Sequence, residues 1–464
     1  MAESTTTTPP TPSEADIIVI GMGPSGESVA GQLAEAGLTV IGIDKELVGG
    51  ECPYWGCIPS KMMIRAAHLL QEARRIPGMA GKAVIEPDWA PVAQRIRQEA
   101  TDTWDDTVAV ERFEGKGGHF VRGAGKITGP GQVAVGEQTF TATKGIVIAT
   151  GTQAAVPPIP GLAGTPFWTN REAIETEELP ASMIVLGAGA IGSELAQSFS
   201  RFDVEVTIVE AADRMVPLEE PEAGELLAEV FQSEGINVHT GVAASSVAHG
   251  DDGFTVELAN GTTLQAEQLL IATGRRTDLL GLGVDAIGLD ASGRFVEVDE
   301  NLRVTDGVWS VGDITGRGAF THVGMYQADI AVADILGKDH LEANYDALAK
   351  VTFSDPEIGS AGLTEATARE KGIDVKVVTQ IVPHTARGWL HKAGNEGIIK
   401  LVANAATGTL VGATAVGPNG GEVLGLLSLA VHAQVPISEM RSMIWAYPTF
   451  HKGIEDALRG LDVE

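Results

Sequence analysis

The sequence predicts a multidomain α/β protein in which one strand–turn–helix–strand unit occurs twice. Length, glycine usage and an ungapped internal repeat carry this reading. At 464 residues the chain exceeds what one hydrophobic core supports, and domain sizes of about 100–200 residues predict roughly three to four units. With 57 glycines, 44% apolar and 20% charged residues, it has the composition of a globular protein rich in tight strand-to-helix turns.

The repeat aligns IIVIGMGPSGESVAGQLAEAGLTVIGID (17–44) with MIVLGAGAIGSELAQSFSRFDVEVTIVE (183–210). Gly21, Gly23, Gly26 and Asp44 correspond to Gly187, Gly189, Gly192 and Glu210, each 166 residues later. Each copy has a β-branched run, a G-x-G-x-x-G turn, an amphipathic helix and a second strand ending in an acid. In the first copy Val29, Ala30, Leu33 and Ala34 mark the apolar helix face. This is the Rossmann-like pattern for binding dinucleotides. The first glycine permits the turn, the second admits a pyrophosphate to backbone N–H groups, and the third lets helix and strand approach. The helix N-terminus favours the phosphate charge, and the acid receives ribose hydroxyls. Two such sites imply two dinucleotides and an electron relay between them. A carboxylate at Glu210 accepts a 2′-hydroxyl and repels a 2′-phosphate, so NAD(H) is expected in preference to NADP(H), with Arg214 able to soften the choice.

Charge narrows the partners. Lys plus Arg number 32 against 62 Asp plus Glu, a formal charge of −30, which disfavours nucleic acid and anionic membrane surfaces. No apolar run reaches the roughly 18 residues of a membrane span. The start, MAESTTTTPPTPSEAD, lacks the features of a secretion signal, and residues 1–14 are expected to form a flexible tail. Only two cysteines occur, Cys52 and Cys57, which argues for a reducing, cytoplasmic setting over a secreted disulfide scaffold. A four-thiolate zinc site within one chain is excluded, and no metal ligands are expected.

Both cysteines lie in GGECPYWGCIPSKMM (49–63), directly after the first repeat and running into a helix with Pro59 in its first turn. Thiols at a helix N-terminus are expected to have lowered pKa values and to be poised for exchange or electron transfer.

On these residues the chain resembles the pyridine nucleotide–disulfide oxidoreductase family, which includes dihydrolipoyl dehydrogenase, glutathione reductase and mercuric reductase. The resemblance runs from about residue 15 to the end. GGECPYWGCIPSK is similar to the family's disulfide motif, and IATGT (148–152) and IATGR (271–275) to its paired strand–turn motifs. WSVGDITG (309–316) is similar to its second FAD segment, and TFSDPEIGSAGLT (352–364) to the opening of its dimerization domain. The resemblance implies FAD as the first cofactor, held with the help of Thr150, Gly151 and Asp313, with Gly274 in the equivalent turn of the second site. It implies that Cys52 attacks the acceptor, that Cys57 lies against the flavin, and that Lys61 pairs with Glu194 near flavin N5. It also implies a homodimer whose active site is shared between subunits.

The C-terminal segment departs from the family. Members that act on thiols carry H-P-T-x-x-E, in which the histidine is the acid/base and the glutamate orients it; here the residues are Tyr447, Pro448, Thr449, Phe450, His451 and Lys452. A phenol with pKa near 10 does not accept protons at neutral pH as imidazole does. Lipoamide is therefore not the expected acceptor. Tyrosine near this position is similar to mercuric reductases, but Phe167 stands where their second tyrosine is expected, and no cysteine follows Cys57. His451 is a candidate acid/base, and His451 with Lys452 is expected to form a cationic mouth for an anionic acceptor. Tyr54 and Trp55 read equally as a flat wall for a planar acceptor and as loop packing.

The organisation the resemblance implies is an FAD domain from 15–165 and 295–345, an NAD domain at 166–294, and an α+β dimerization domain at 346–464. Electrons would pass from NAD(P)H through FAD to Cys52–Cys57 and on to a small oxidised acceptor. The alternatives are a soft-metal-ion reductase, a quinone or diaphorase-type reductase, and a nicotinamide-sensing or complex-bound structural subunit.

Overall fold

A computed structural model describes residues 12–462. It shows the expected α/β fold with two Rossmann-like units and a C-terminal α+β domain, arranged in two compact units. Residues 1–11 of the expected tail lie outside the described residues, and Glu14 already belongs to the first strand.

The first unit comprises residues up to Cys57, 100–153 and 275–344. Its central strands run in the order 308–310, 138–148, 14–20, 40–44, 119–122, all parallel. Period-two alternation explains why a continuous apolar run forms the first of them. Ile17 and Val19 enter one core with Val29, Leu33 and Ala328, while Ile18 and Ile20 enter another with Ile41 and Ile127. The unit resumes at Arg275. Leu279, Leu282 and Val284 bury in the same cluster as Ile127 and Val133, so these residues pack with the first sheet.

The second unit holds residues 58–99, 154–274 and those after Tyr345. Its parallel strands, in the order 237–239, 205–209, 182–186, 268–271, repeat the pattern of the first sheet. The C-terminal part is a five-stranded antiparallel sheet, with Gly420–His432 and Lys452–Gly460 contributing Leu424, Leu427, Ile454 and Leu458 to its core. No helix among the described residues is long and apolar enough to cross a membrane.

A buried ionic cluster joins parts of this unit. Arg201 donates to Glu234 at 3.0 and 2.7 Å and to Asp355 at 2.8 Å, and Arg75 meets Asp355 at 2.9 Å. Burial pushes the His68 imidazole beside them down to about 4; Arg201, Arg75 and Arg65 add to this and Asp355 opposes it. The unfolded imidazole protonates near 6.5, so between those values the unfolded chain binds more protons. Stability is therefore lost as pH falls from about 6.5 towards 4, by about 3 kcal/mol at full effect. His68→Gln is expected to flatten this part of the curve in thermal unfolding between pH 4 and 7; a wild-type slope would contradict the assignment.

Candidate active site

The two fingerprint turns have matching geometry because the same backbone constraints recur. Gly21 has φ +95°, and a Cβ there would stand 2.4 Å from the Ala149 carbonyl oxygen; Gly187 has φ +103° and the same 2.4 Å to that of Ala272. A Cβ on Gly26 would meet the Gly21 oxygen at 1.9 Å, and one on Gly192 the Gly187 oxygen at 2.0 Å. Only hydrogen fits at these four positions. Beside Gly23 and Gly189 nothing lies within 4 Å of a built Cβ. These residues precede helices Pro24–Glu35 and Ala190–Ser200, neither of which has a side-chain cap. The open space and uncapped N–H groups suit a pyrophosphate in each copy.

The acids are held alike. Asp44 accepts from the N–H groups of Met22 and Glu46 at 2.7 and 2.8 Å, and Glu210 from those of Ala188 and Ala212, both at 2.7 Å. Each carboxylate thus keeps lone pairs for a ribose. Burial pushes the Asp44 carboxyl above its usual range despite these bonds.

Asp313 begins a short turn in the first unit. It accepts from Thr152 Oγ1 at 3.0 Å, and burial raises its carboxyl pKa against the pull of Arg275. Arg275 donates to Thr152 Oγ1 at 2.7 Å and to its carbonyl at 2.6 Å. The fully buried Gln327 accepts from Gly312 N at 2.6 Å and donates to Thr315 at 3.1 Å, fixing the turn from behind. Thr152, Arg275 and Gln327 were not singled out from sequence. The first two end the paired IATG motifs, and a glutamine in an apolar helix run was the available signal for the third. Thr150 is exposed, and Gly151 and Gly274 have φ +62° and +114° with no atom within 4 Å of a built Cβ. The turns containing Gly151 and Gly274 are therefore open. These features fit a bound FAD in the first unit.

Cys52 lies in helix Glu51–Trp55, and Cys57 begins helix Cys57–Arg74 after the turn at Gly56. Cys52 is half-buried and Cys57 exposed. The expected lowering of both thiol pKa values is corrected at Cys52. Its hydrogen bond with Cys57, reinforced by burial, pushes its pKa up. A five-residue helix offers little dipole to oppose this. Thr321 Oγ1, on helix Thr321–Ile335, stands 3.4 Å from Cys57 Sγ.

In the second unit Lys61 donates to Glu194 Oε2 at 2.8 Å. Glu194 is buried, its Oε1 accepts from Phe353 N at 2.8 Å, and the lysine sits 4.6 Å from the Phe353 ring centroid. The ammonium is thereby held by both a carboxylate and an aromatic face. Tyr447 is 72% exposed, in a turn that ends where helix Lys452–Gly460 begins, so it and His451 do not share a helix. The His451 ring lies 6.2 Å from that of Trp445. The expected cationic mouth is corrected as well, because Lys452 is bonded to Glu455 and lies 4.0 Å from Asp456, which offset its charge. Tyr54 and Trp55 are buried with ring centroids 5.8 Å apart, which favours packing over an exposed wall.

The family described as pyridine nucleotide-disulphide oxidoreductase matches residues 15–332, and its dimerisation domain matches 348–458. A dihydrolipoyl dehydrogenase of Chlorobaculum tepidum is 34% identical over 95% of this chain and 96% of its own length. A mercuric reductase of Acidithiobacillus ferrooxidans is 31% identical over 95% of this chain and 82% of its own. Among solved structures, the HOCl-induced flavoprotein disulfide reductase RclA from Escherichia coli matches with TM-score 0.83 and 26% identity, covering 96% of this chain and 99% of that one. A Cu(II) complex of RclA matches with TM-score 0.84 at 25% identity and the same coverage. With both its cofactor repeats and its C-terminal domain matched, the chain belongs to the pyridine nucleotide-disulphide oxidoreductase family, whose members are FAD-dependent oxidoreductases.

Proposed function

We propose that the chain is a homodimeric flavoprotein reductase that takes electrons from NADH, in preference to NADPH, to the Cys52–Cys57 disulfide. From there they reach a small oxidised acceptor other than lipoamide. The observation that carries this is the hydrogen bond between the Cys52 and Cys57 thiols, in the same unit as the first glycine-rich turn. When bound, FAD supplies two-electron transfer between a nicotinamide and this sulfur pair.

The chain's own residues divide the remaining work. Cys52 is the sulfur that meets the acceptor, and Cys57 is the partner that receives its hydrogen bond. Forming the disulfide gives up two electrons, and the thiol protons leave to acceptor or solvent. Oxidising dihydrolipoamide requires a base for its thiol protons. A phenol with pKa near 10 is a poor one at neutral pH. Tyr447 supports a role as hydrogen-bond donor, and the charge-compensated Lys452 supports no proton acceptor beside it. Lys61, braced by Glu194, supports a fixed positive charge where electron density develops on the cofactor.

NADH preference is supported by Glu210, whose carboxylate is fixed by two N–H groups, and by Arg214, which is engaged with Asp213 and the Pro217 carbonyl. Glu210→Ala is expected to shrink the NADH-to-NADPH ratio of kcat/KM by roughly tenfold or more. A ratio unaffected by the substitution would remove the residue from cofactor selection.

A soft-metal-ion reductase is the second reading. It is favoured by two adjacent thiols, one exposed, and by the similarity to mercuric reductase and to a Cu(II)-bound reductase. An acceptor screen following NADH oxidation by the flavin-loaded dimer decides between them. Small disulfides are expected to turn over well above lipoamide; lipoamide as the fastest acceptor would overturn the proposal, and turnover confined to Hg(II) or Cu(II) would establish the second reading.

A further inference from the structure

Cys57 Sγ lies 3.4 Å from Thr321 Oγ1, although the two residues are 264 positions apart. Thr321 is the first residue of the 15-residue helix Thr321–Ile335, whose preceding residue, Phe320, supplies no side-chain cap. The exposed sulfur therefore stands by the positive end of a full-length helix, next to a hydroxyl. A thiolate can only accept hydrogen bonds, so once Cys57 loses its proton the hydroxyl donates to it. The Cys52 thiol is hydrogen-bonded to the same sulfur, and the Thr321 hydroxyl also reaches Cys52. Two donors and a helix N-terminus on one sulfur all favour its charged form.

We propose that Thr321 is a positioning residue of the redox pair, its hydroxyl donating to Cys57 Sγ and holding that sulfur as the thiolate of the reduced enzyme. The inference rests on reading Cys52 and Cys57 as the redox pair. It gives the chain a means of stabilising that sulfur locally, in a sequence with no histidine at the C-terminal acid/base position. The proton released from Cys57 goes to solvent, and Cys52 keeps its own.

The other charged or titratable groups on these elements are Glu51, Cys52 and Tyr54 on helix Glu51–Trp55, His322, Tyr326, Asp329 and Asp334 on the helix of Thr321, and Lys61, Arg65, His68, Glu72 and Arg74 on Cys57's own helix. Glu51 faces Arg275 at 3.8 Å, and the exposed His322 stacks on Phe320 with ring centroids 5.3 Å apart. Loss of the Thr321 hydroxyl keeps all of these groups, and removes from Cys52 the hydrogen bond that Thr321 also makes to it.

Thr321→Val keeps the shape and removes the hydroxyl, while Thr321→Ser keeps the hydroxyl and removes the methyl. In the flavin-loaded full chain, reduced anaerobically with dithiothreitol, the rate of iodoacetamide alkylation at Cys57 is followed against pH by peptide mass. The valine variant is expected to raise the alkylation midpoint by about one pH unit, the effect of losing one hydrogen bond to a charged sulfur. The serine variant is expected to stay within about 0.3 unit of wild type by the same reasoning. A wild-type midpoint in the valine variant, or an equal shift in both variants, overturns the proposal. Alkylation needs neither nicotinamide nor acceptor, so this outcome is separate from any failure of NADH-dependent turnover.

Discussion

Gly26→Ala is expected to yield a chain that purifies without flavin, whereas Gly192→Ala keeps its flavin and loses its nicotinamide affinity. The added methyl would have to sit 1.9 Å from the Gly21 carbonyl oxygen in the first case and 2.0 Å from that of Gly187 in the second. Neither obstacle is the end of a flexible side chain; both are backbone, in the turn proposed to receive a pyrophosphate. Relieving such a clash moves strand from helix, at roughly 3 kcal/mol on the scale of overpacked sites, or about a hundredfold in affinity. Flavin absorbance of the purified protein and the KM for NADH read the two effects separately. Equal flavin content in Gly26→Ala and wild type would show that the first repeat is not the flavin site. Loss of flavin in both variants would show that the repeats do not act as separate cradles.

Cys52→Ala is expected to lower turnover of a disulfide acceptor by roughly a thousandfold or more, because the other cysteine of the chain, Cys57, is proposed to receive electrons from the flavin and not to attack the acceptor. Cys57 would then lose the donor that its neighbour provides. Quinone turnover is expected to stay within about threefold of wild type, since it draws electrons without a sulfur intermediate. Steady-state NADH oxidation with each acceptor separates the cases. Undiminished disulfide turnover in the variant would place the acceptor chemistry away from Cys52, and parallel loss of quinone turnover would point to a damaged fold.

What could be read in advance follows from how locally each feature is determined. The two cradles were legible because close backbone approach dictates glycine at Gly21, Gly26, Gly187 and Gly192, and because the acids return at a fixed distance along the chain. Thr321 was not, since its partner lies 264 residues away and a threonine opening a helix has many ordinary reasons to be there. The same holds for Arg275, which grips Thr152 from 123 residues away, and for Phe353, which braces Glu194 across 159. Tyr54 and Trp55 stayed ambiguous because an aromatic in a glycine-bounded loop has the same sequence whether it turns in or out. Lys452 was misread although Glu455 follows it at helical spacing, a pairing that the (i, i+3) rule makes visible from sequence. The thiol shift at Cys52 was misjudged because a hydrogen bond between the two thiols outweighs the dipole of a five-residue helix.

The central claim is that electrons from a nicotinamide arrive at one particular sulfur–sulfur bond. The chain contains only Cys52 and Cys57, so thiols can be counted without ambiguity. Oxidised, flavin-loaded protein treated anaerobically with NADH and then denatured in a thiol-labelling reagent is predicted to gain two labels per chain, both in the peptides of Cys52 and Cys57. Flavin bleaching with no gain in label would contradict the account.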